Sequence, residues 1–140
     1  MAVSIYSGKT GPKPRRNAEQ LPGDCLETVP NPPAWMDNRA TEFYHVACTD
    51  LLRRKILYEV DLPTLCAFAC AQSQLNAANE DIATRGLLVG GKKNPSAMER
   101  GKLTQEISAL SKLLGFGPYG RSATPGKPDE AEKADDEFDL

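Results

Sequence analysis

Between Leu62 and Asn79 the sequence LPTLCAFACAQSQLNAAN contains no charged residue. No other stretch constrains the fold as tightly. Asp61 precedes it as a candidate N-cap, Pro63 is tolerated in a first helical turn, and Gly86 supplies a C-cap, so one long helix is expected across it. Ala67, Ala69, Cys70, Ala71, Ala77 and Ala78 are small enough to let neighbouring backbones approach closely. A helix so poor in charge is expected to be covered on more than one side. A small monomer rarely supplies that much cover, so the run also points to contacts between subunits.

Two further helices flank it. Asp37 is placed to cap the first. Met36, Ala40, Phe43, Ala47 and Leu51 follow at steps of four, three, four and four, which puts them on one helical stripe. Tyr44, Cys48 and Leu52 widen the stripe, and Trp35 is expected to join Phe43 in anchoring the core. Arg53, Arg54 and Lys55 fall in the last turn, where cations suit the negative end of the helix dipole, and they also form a basic edge. Ile56, Leu57 and Tyr58 read as a short buried connection. Beyond Gly86, Leu87 to Val89 reads as a short strand and Gly90-Gly91 as a turn, with Lys92 and Lys93 projecting from it. Asn94 and Pro95 supply an N-cap and a first helical residue. The third helix carries Met98, then Leu103, Ile107, Leu110 and Leu114 in a heptad-like seam that Gly115 ends. GFGPYGR is expected to be a turn-rich segment folding back through Phe116 and Tyr119. The fold class is therefore mainly α: a three-helix core with a short β-hairpin or turn between the second and third helices.

The ends differ from this core. Residues 1–34 hold six of the eleven prolines with no periodic apolar pattern between them. From Thr124 the chain reads TPGKPDEAEKADDEFDL, with seven acids, two lysines and only two large apolar residues. Neither end buries enough apolar surface to offset the entropy of ordering. The expected division is a flexible basic arm over 1–34, a helical oligomerisation core over 35–120 and a disordered acidic tail over 121–140. A core of about 80 residues is thin and often gains stability by association. The formal net charge of −2 hides the asymmetry. Lys9, Lys13, Arg15 and Arg16 stand against Glu19 alone in residues 1–20, while the tail is acidic. The arm is suited to phosphates, or it only solvates the end; the tail is suited to a basic partner, to folding back and competing with DNA for basic surface, or it only solubilises. No apolar run approaches the roughly 20 residues that span a bilayer, and no secretory signal is visible. An intracellular setting with reduced cysteines is expected.

The chemistry offered is limited. His45 and Cys48 are three apart on one helix and Cys66 and Cys70 four apart on another, so a helical hairpin brings them together as a possible zinc set. Buried thiols in a packed core are the plainer reading, and no metal or other cofactor is expected. There is one histidine, no Gly-x-Ser-x-Gly and no phosphate-binding loop: GGKKN lacks the first glycine and the hydroxyl residue after lysine. The chain reads as a non-enzyme.

The order of features resembles the small terminase subunits of tailed bacteriophages, the P27-like family. The matching pieces are Gly11-Pro12-Lys13-Pro14 in the arm, Pro32-Pro33-Ala34-Trp35-Met36 entering the first helix, and Asp61-Leu62 opening the second. Gly86-Leu87-Leu88-Val89, Asn94-Pro95 and Leu113-Leu114-Gly115-Phe116-Gly117 complete the order. The resemblance covers roughly residues 11–121; the short, basic hairpin departs from it and the acidic tail lies outside it. It implies a non-catalytic protein of the host cytoplasm that forms a ring of about eight to ten subunits. It also implies binding to double-stranded viral DNA and recruitment and regulation of the large subunit, which carries ATPase and nuclease. The DNA-binding candidates are then Lys9, Lys13, Arg15, Arg16, Arg53, Arg54, Lys55, Lys92 and Lys93. The oligomerisation candidates are Leu103, Ile107, Leu110 and Leu114. Phe138 and Leu140, apolar among carboxylates, are the partner-binding candidates.

Two other classes stand beside it. A small helical transcriptional regulator would need a recognition helix opening with base-reading Arg, Asn or Gln, whereas the second helix opens with LPTLCAFACAQ. A zinc-stabilised interaction module would rest on the His45, Cys48, Cys66 and Cys70 set.

Overall fold

A computed structural model describes residues 25–123. The elements run α1 (Asn38–Arg53), a 3-10 turn (Glu59–Asp61), α2 (Leu62–Arg85), β1 (Leu88–Val89), β2 (Lys92–Lys93), α3 (Pro95–Leu114) and α4 (Gly117–Ala123). The long charge-poor helix is the centre: α1 and α3 both pack against α2. Its cover on more than one side is thus supplied within the subunit. Among its small residues Ala69, Ala71 and Ala78 are buried, while Ala67 and Ala77 face outward.

The core gathers Ala40, Tyr44, Cys48 and Leu51 from α1, Leu57 from the connection, Leu65 and Ala69 from α2, and Leu114 from the end of α3. Leu57 and Leu65 are fully buried, and each contributes about 2 kcal/mol of transfer free energy. The α1 stripe behaves as its spacing predicts, except that Phe43 is only half-buried. Trp35 does not anchor the core; it is 70% exposed. The Met36 N–H donates to Pro33 O at 3.1 Å, forming a turn just ahead of the helix, and Met36 is the side chain that this turn delivers to the core. Upstream, the Leu26 N–H donates to Leu57 O at 2.8 Å, and Leu26 and Val29 pack on the cluster, so ordered chain precedes Trp35.

The helix ends show why each element stops where it does. Asp37 caps α1, its Oδ1 accepting from the Ala40 N–H at 2.7 Å. The Ser73 hydroxyl donates to the same carboxylate at 3.1 and 3.2 Å, which pins the start of α1 to the middle of α2. At the other end Lys55 adopts φ 56°. Its N–H reaches Leu52 O and the Ile56 N–H reaches Leu51 O, a Schellman closure. Asp61 does not cap α2 as expected. Its backbone is already helical, at φ −86° and ψ −13°, and its side chain instead accepts from the Tyr58 N–H at 3.3 Å, closing the 3-10 turn that feeds the helix.

The hairpin forms as the sequence predicts. Leu88 pairs with Lys93 and Val89 with Lys92. Gly90 and Gly91 both take positive φ, 58° and 77°, the mirror-image turn that suits strand twist. Asn94 is fully buried behind it. Its Oδ1 accepts from the Ser96 N–H at 2.9 Å, while its Nδ2 donates to Asp81 Oδ2 at 3.0 Å and Gly86 O at 2.9 Å. One side chain therefore caps α3 and ties it to the end of α2. The segment after Gly115 is a short helix, α4, rather than a turn; Phe116 packs on the core but Tyr119 is 76% exposed.

Candidate nucleic-acid interface

The basic edge at the end of α1 is split by its own helix geometry. Arg53 points outward, its side chain 78% exposed and held by Asp50 at 2.7 Å. Arg54 turns inward: its side chain is only 13% exposed, and its Nη1 donates to Gly115 O at 2.8 Å and to Asp50 Oδ2 at 3.4 Å. A guanidinium there neutralises the negative end of α3 and joins the ends of α1 and α3. Arg54 therefore has a structural task, and Lys55, in its left-handed position, continues the closure of α1. The expected edge of three cations presents Arg53 most openly.

A cation absent from the expected set completes this corner. Arg121, delivered by α4, lines with Asp50, Arg53, Arg54, Phe116 and Gly117 a shallow depression of about 450 Å³. The helix-start signal that could have placed it was Pro118 directly after Gly117. Lys92 and Lys93 are both exposed on the hairpin. They lie beyond the far end of α2, a helix of 24 residues and hence about 36 Å long. The length of α2 thus separates Lys92 and Lys93 from the arginine corner, while Arg100, Lys102 and Lys112 stand exposed along α3. Arg39 and Arg85 are engaged elsewhere, with Glu80 at 2.9 Å and Asp81 at 2.6 Å. The Arg85 pair, together with hydrogen bonds from Ser96 and Asn94, holds the Asp81 carboxyl far below the usual carboxylate range.

Lys9, Lys13, Arg15 and Arg16 lie outside the described residues, as do Phe138 and Leu140. The α3 seam divides. Leu103 and Leu114 are buried, at 2% and 6% exposure, whereas Ile107 and Leu110 are half-buried. The large apolar groups that α3 leaves open are Met98, at 56%, and Leu113, at 74%.

The zinc set is not assembled. Among the described residues no three His, Cys, Asp or Glu side chains are grouped to hold a metal. His45 lies on the exposed side of α1, edge-on to Tyr44, while Cys48 is fully buried. Burial pushes the Cys48, Cys66 and Cys70 thiols up. No described helix is long and apolar enough to cross a membrane.

The sequence model for the phage terminase small subunit matches residues 40–131, about two thirds of the chain. The chain belongs to the phage terminase small-subunit family. The match names no narrower branch. It begins in the first turn of α1 and continues past the end of α4, so the whole helical core of this small terminase subunit, with Arg53, Lys92, Lys93 and Arg121, lies within family territory. No curated protein and no solved structure matches the chain.

Proposed function

We propose that this subunit is a non-catalytic component of a phage DNA-packaging machine, acting in the host cytoplasm. It assembles into a ring of about eight to ten copies. It binds viral duplex DNA through phosphate contacts and recruits and regulates the large subunit that carries ATPase and nuclease. The family match across all the helices carries this reading, and the exposed cations at both ends of the core support it. Lys9, Lys13, Arg15 and Arg16 in the arm, with Arg53, Arg121, Lys92 and Lys93 in the core, supply charge to phosphates, contacts that position a protein on the duplex without reading its bases. Ile107, Leu110 and the open Leu113 supply the apolar contact to a neighbouring copy in this reading. Phe138 and Leu140 provide the apolar anchor for the large subunit.

Duplex binding measured across a series of salt concentrations tests the DNA part. Each phosphate contact removed lowers the slope of log affinity against log salt by about 0.9. Removing residues 1–20, or replacing Lys92 and Lys93 together by alanine, therefore flattens the dependence. Unchanged affinity and slope in both variants would reject DNA binding by these groups. The molar mass in solution tests the ring, and a monomer at micromolar concentration overturns it.

A further inference from the structure

Next to the arginine corner the surface is apolar. Phe43 and Val46 from α1, Phe68 from α2 and Phe116 ahead of α4 line a crevice of about 370 Å³ that shares Asp50, Phe116 and Arg121 with the basic depression. Val46 is 70% exposed, and the Phe68 and Phe116 rings meet at 5.2 Å. Among the described residues that line it, the rim carries Arg53, Arg54 and Arg121 with one carboxylate, Asp50, which is bonded to Arg53 and Arg54. Arg121 is paired with no carboxylate among the described residues. An apolar trough with an arginine rim fits a peptide bearing a large apolar side chain among acids.

We propose that this crevice holds the chain's own C-terminal segment, with Phe138 and Leu140 against Phe43, Val46 and Phe116 and with Asp136, Glu137 and Asp139 facing Arg53 and Arg121. Charge complementarity is one support: the segment DEAEKADDEFDL has seven acids and one lysine. Tether length is another. The described chain ends at Ala123, two residues after Arg121 on the crevice wall, and the 15 residues from there to Phe138 reach up to about 50 Å. A loop of that length closes at small entropic cost and gives the tail a local concentration on the order of millimolar. The docking itself needs only the crevice and the tail. Its consequence rests on the packaging reading: a seated tail covers Arg53 and Arg121, so phosphate binding there and capture of the tail by the large subunit each favour release.

The test uses the full chain with its own tail disarmed by Phe138→Ala and Leu140→Ala. A fluorescent peptide of residues 128–140 is titrated against it by anisotropy, with neither DNA nor large subunit present, so failure here leaves the packaging reading standing. The disarmed chain is expected to bind the peptide, and the chain with its natural tail to bind it at least about tenfold more weakly through self-competition. Val46→Asp, which alters an exposed position and so spares the fold, weakens peptide binding by at least about tenfold through like-charge contact with the tail. Arg121→Glu acts in the same direction. No binding to the disarmed chain, or binding that Val46→Asp leaves unchanged, overturns the proposal. So does a crevice whose variants lose duplex DNA while keeping the peptide, which would make it a phosphate site only.

Discussion

The Asn94 side chain joins the end of α2 to the start of α3. It is buried with every polar atom engaged, accepting from Ser96 and donating to Asp81 and Gly86. Asn94→Ala removes a helix cap and the donor to the Gly86 carbonyl, while Asp81 Oδ2 keeps its bond from Arg85 at 2.8 Å. The expected loss is about 2–3 kcal/mol in thermal or denaturant unfolding; a loss under about 0.5 kcal/mol would show that water replaces the amide. Two carboxylates, Asp37 at the start of α1 and Asp81 in the last turn of α2, set the acid limb of stability. Asp37 is held low chiefly by the Ala40 N–H, and Asp81 chiefly by Arg85. Both are depressed, so the unfolded chain takes up protons first. Their contribution is complete above the unfolded carboxylate range near pH 4 and is lost as pH falls through the folded values. Melting temperature should therefore fall on acidification below about pH 4, and Asp81→Asn should flatten that fall while lowering stability at neutral pH.

At the scale of elements, the join between α3 and α4 is the tightest fit. Gly115 closes α3 in the left-handed region at φ 78°, and Gly120 of α4 lies against its backbone. A Cβ on Gly120 would stand 2.8 Å from the Gly115 carbonyl carbon, which backbone cannot yield without moving. Gly120→Ala should therefore dislodge α4 at a cost of about 1–3 kcal/mol. Hydrogen exchange would show it as lost protection in residues 117–123 with α1 and α2 unchanged. Because α4 carries Arg121 and follows Phe116, the same variant should also weaken whatever occupies the arginine-rimmed crevice. Equal protection in variant and parent would mean that α4 shifts as a unit without loosening.

For the whole molecule the central question is which apolar side chains serve the subunit core and which would serve the proposed assembly. Leu113 and Leu114 are adjacent in sequence, yet one is 74% exposed and the other 6%. Leu114→Asp buries a carboxylate in the core cluster and should unfold the subunit, at a cost above about 3 kcal/mol. Leu113→Asp should leave the circular dichroism and melting of the subunit intact while lowering its molar mass by light scattering. If Leu113→Asp retains full assembly, the subunit contact lies elsewhere than the outer face of α3.

Local chemistry determined much of this protein from the sequence alone. The three helices, the hairpin and most of their ends follow from signals within one turn of chain: the Asp37 and Asn94 caps, the Gly86 and Gly115 stops, and the paired glycines with positive φ. Such signals are legible because capping and turn geometry are satisfied by neighbours in sequence. Only the tertiary structure decided which sides are covered. The α2 run required cover on more than one side but could not say that α1 and α3 provide it. The α3 seam could not say that Leu103 and Leu114 would turn inward. Arg54 read as surface charge until the end of α3 was placed beside it, and Arg121 had no visible role until α4 brought it to Arg53. Periodicity fixes a residue's direction relative to its own helix axis; burial depends on what lies in that direction, and that is a property of the packed chain.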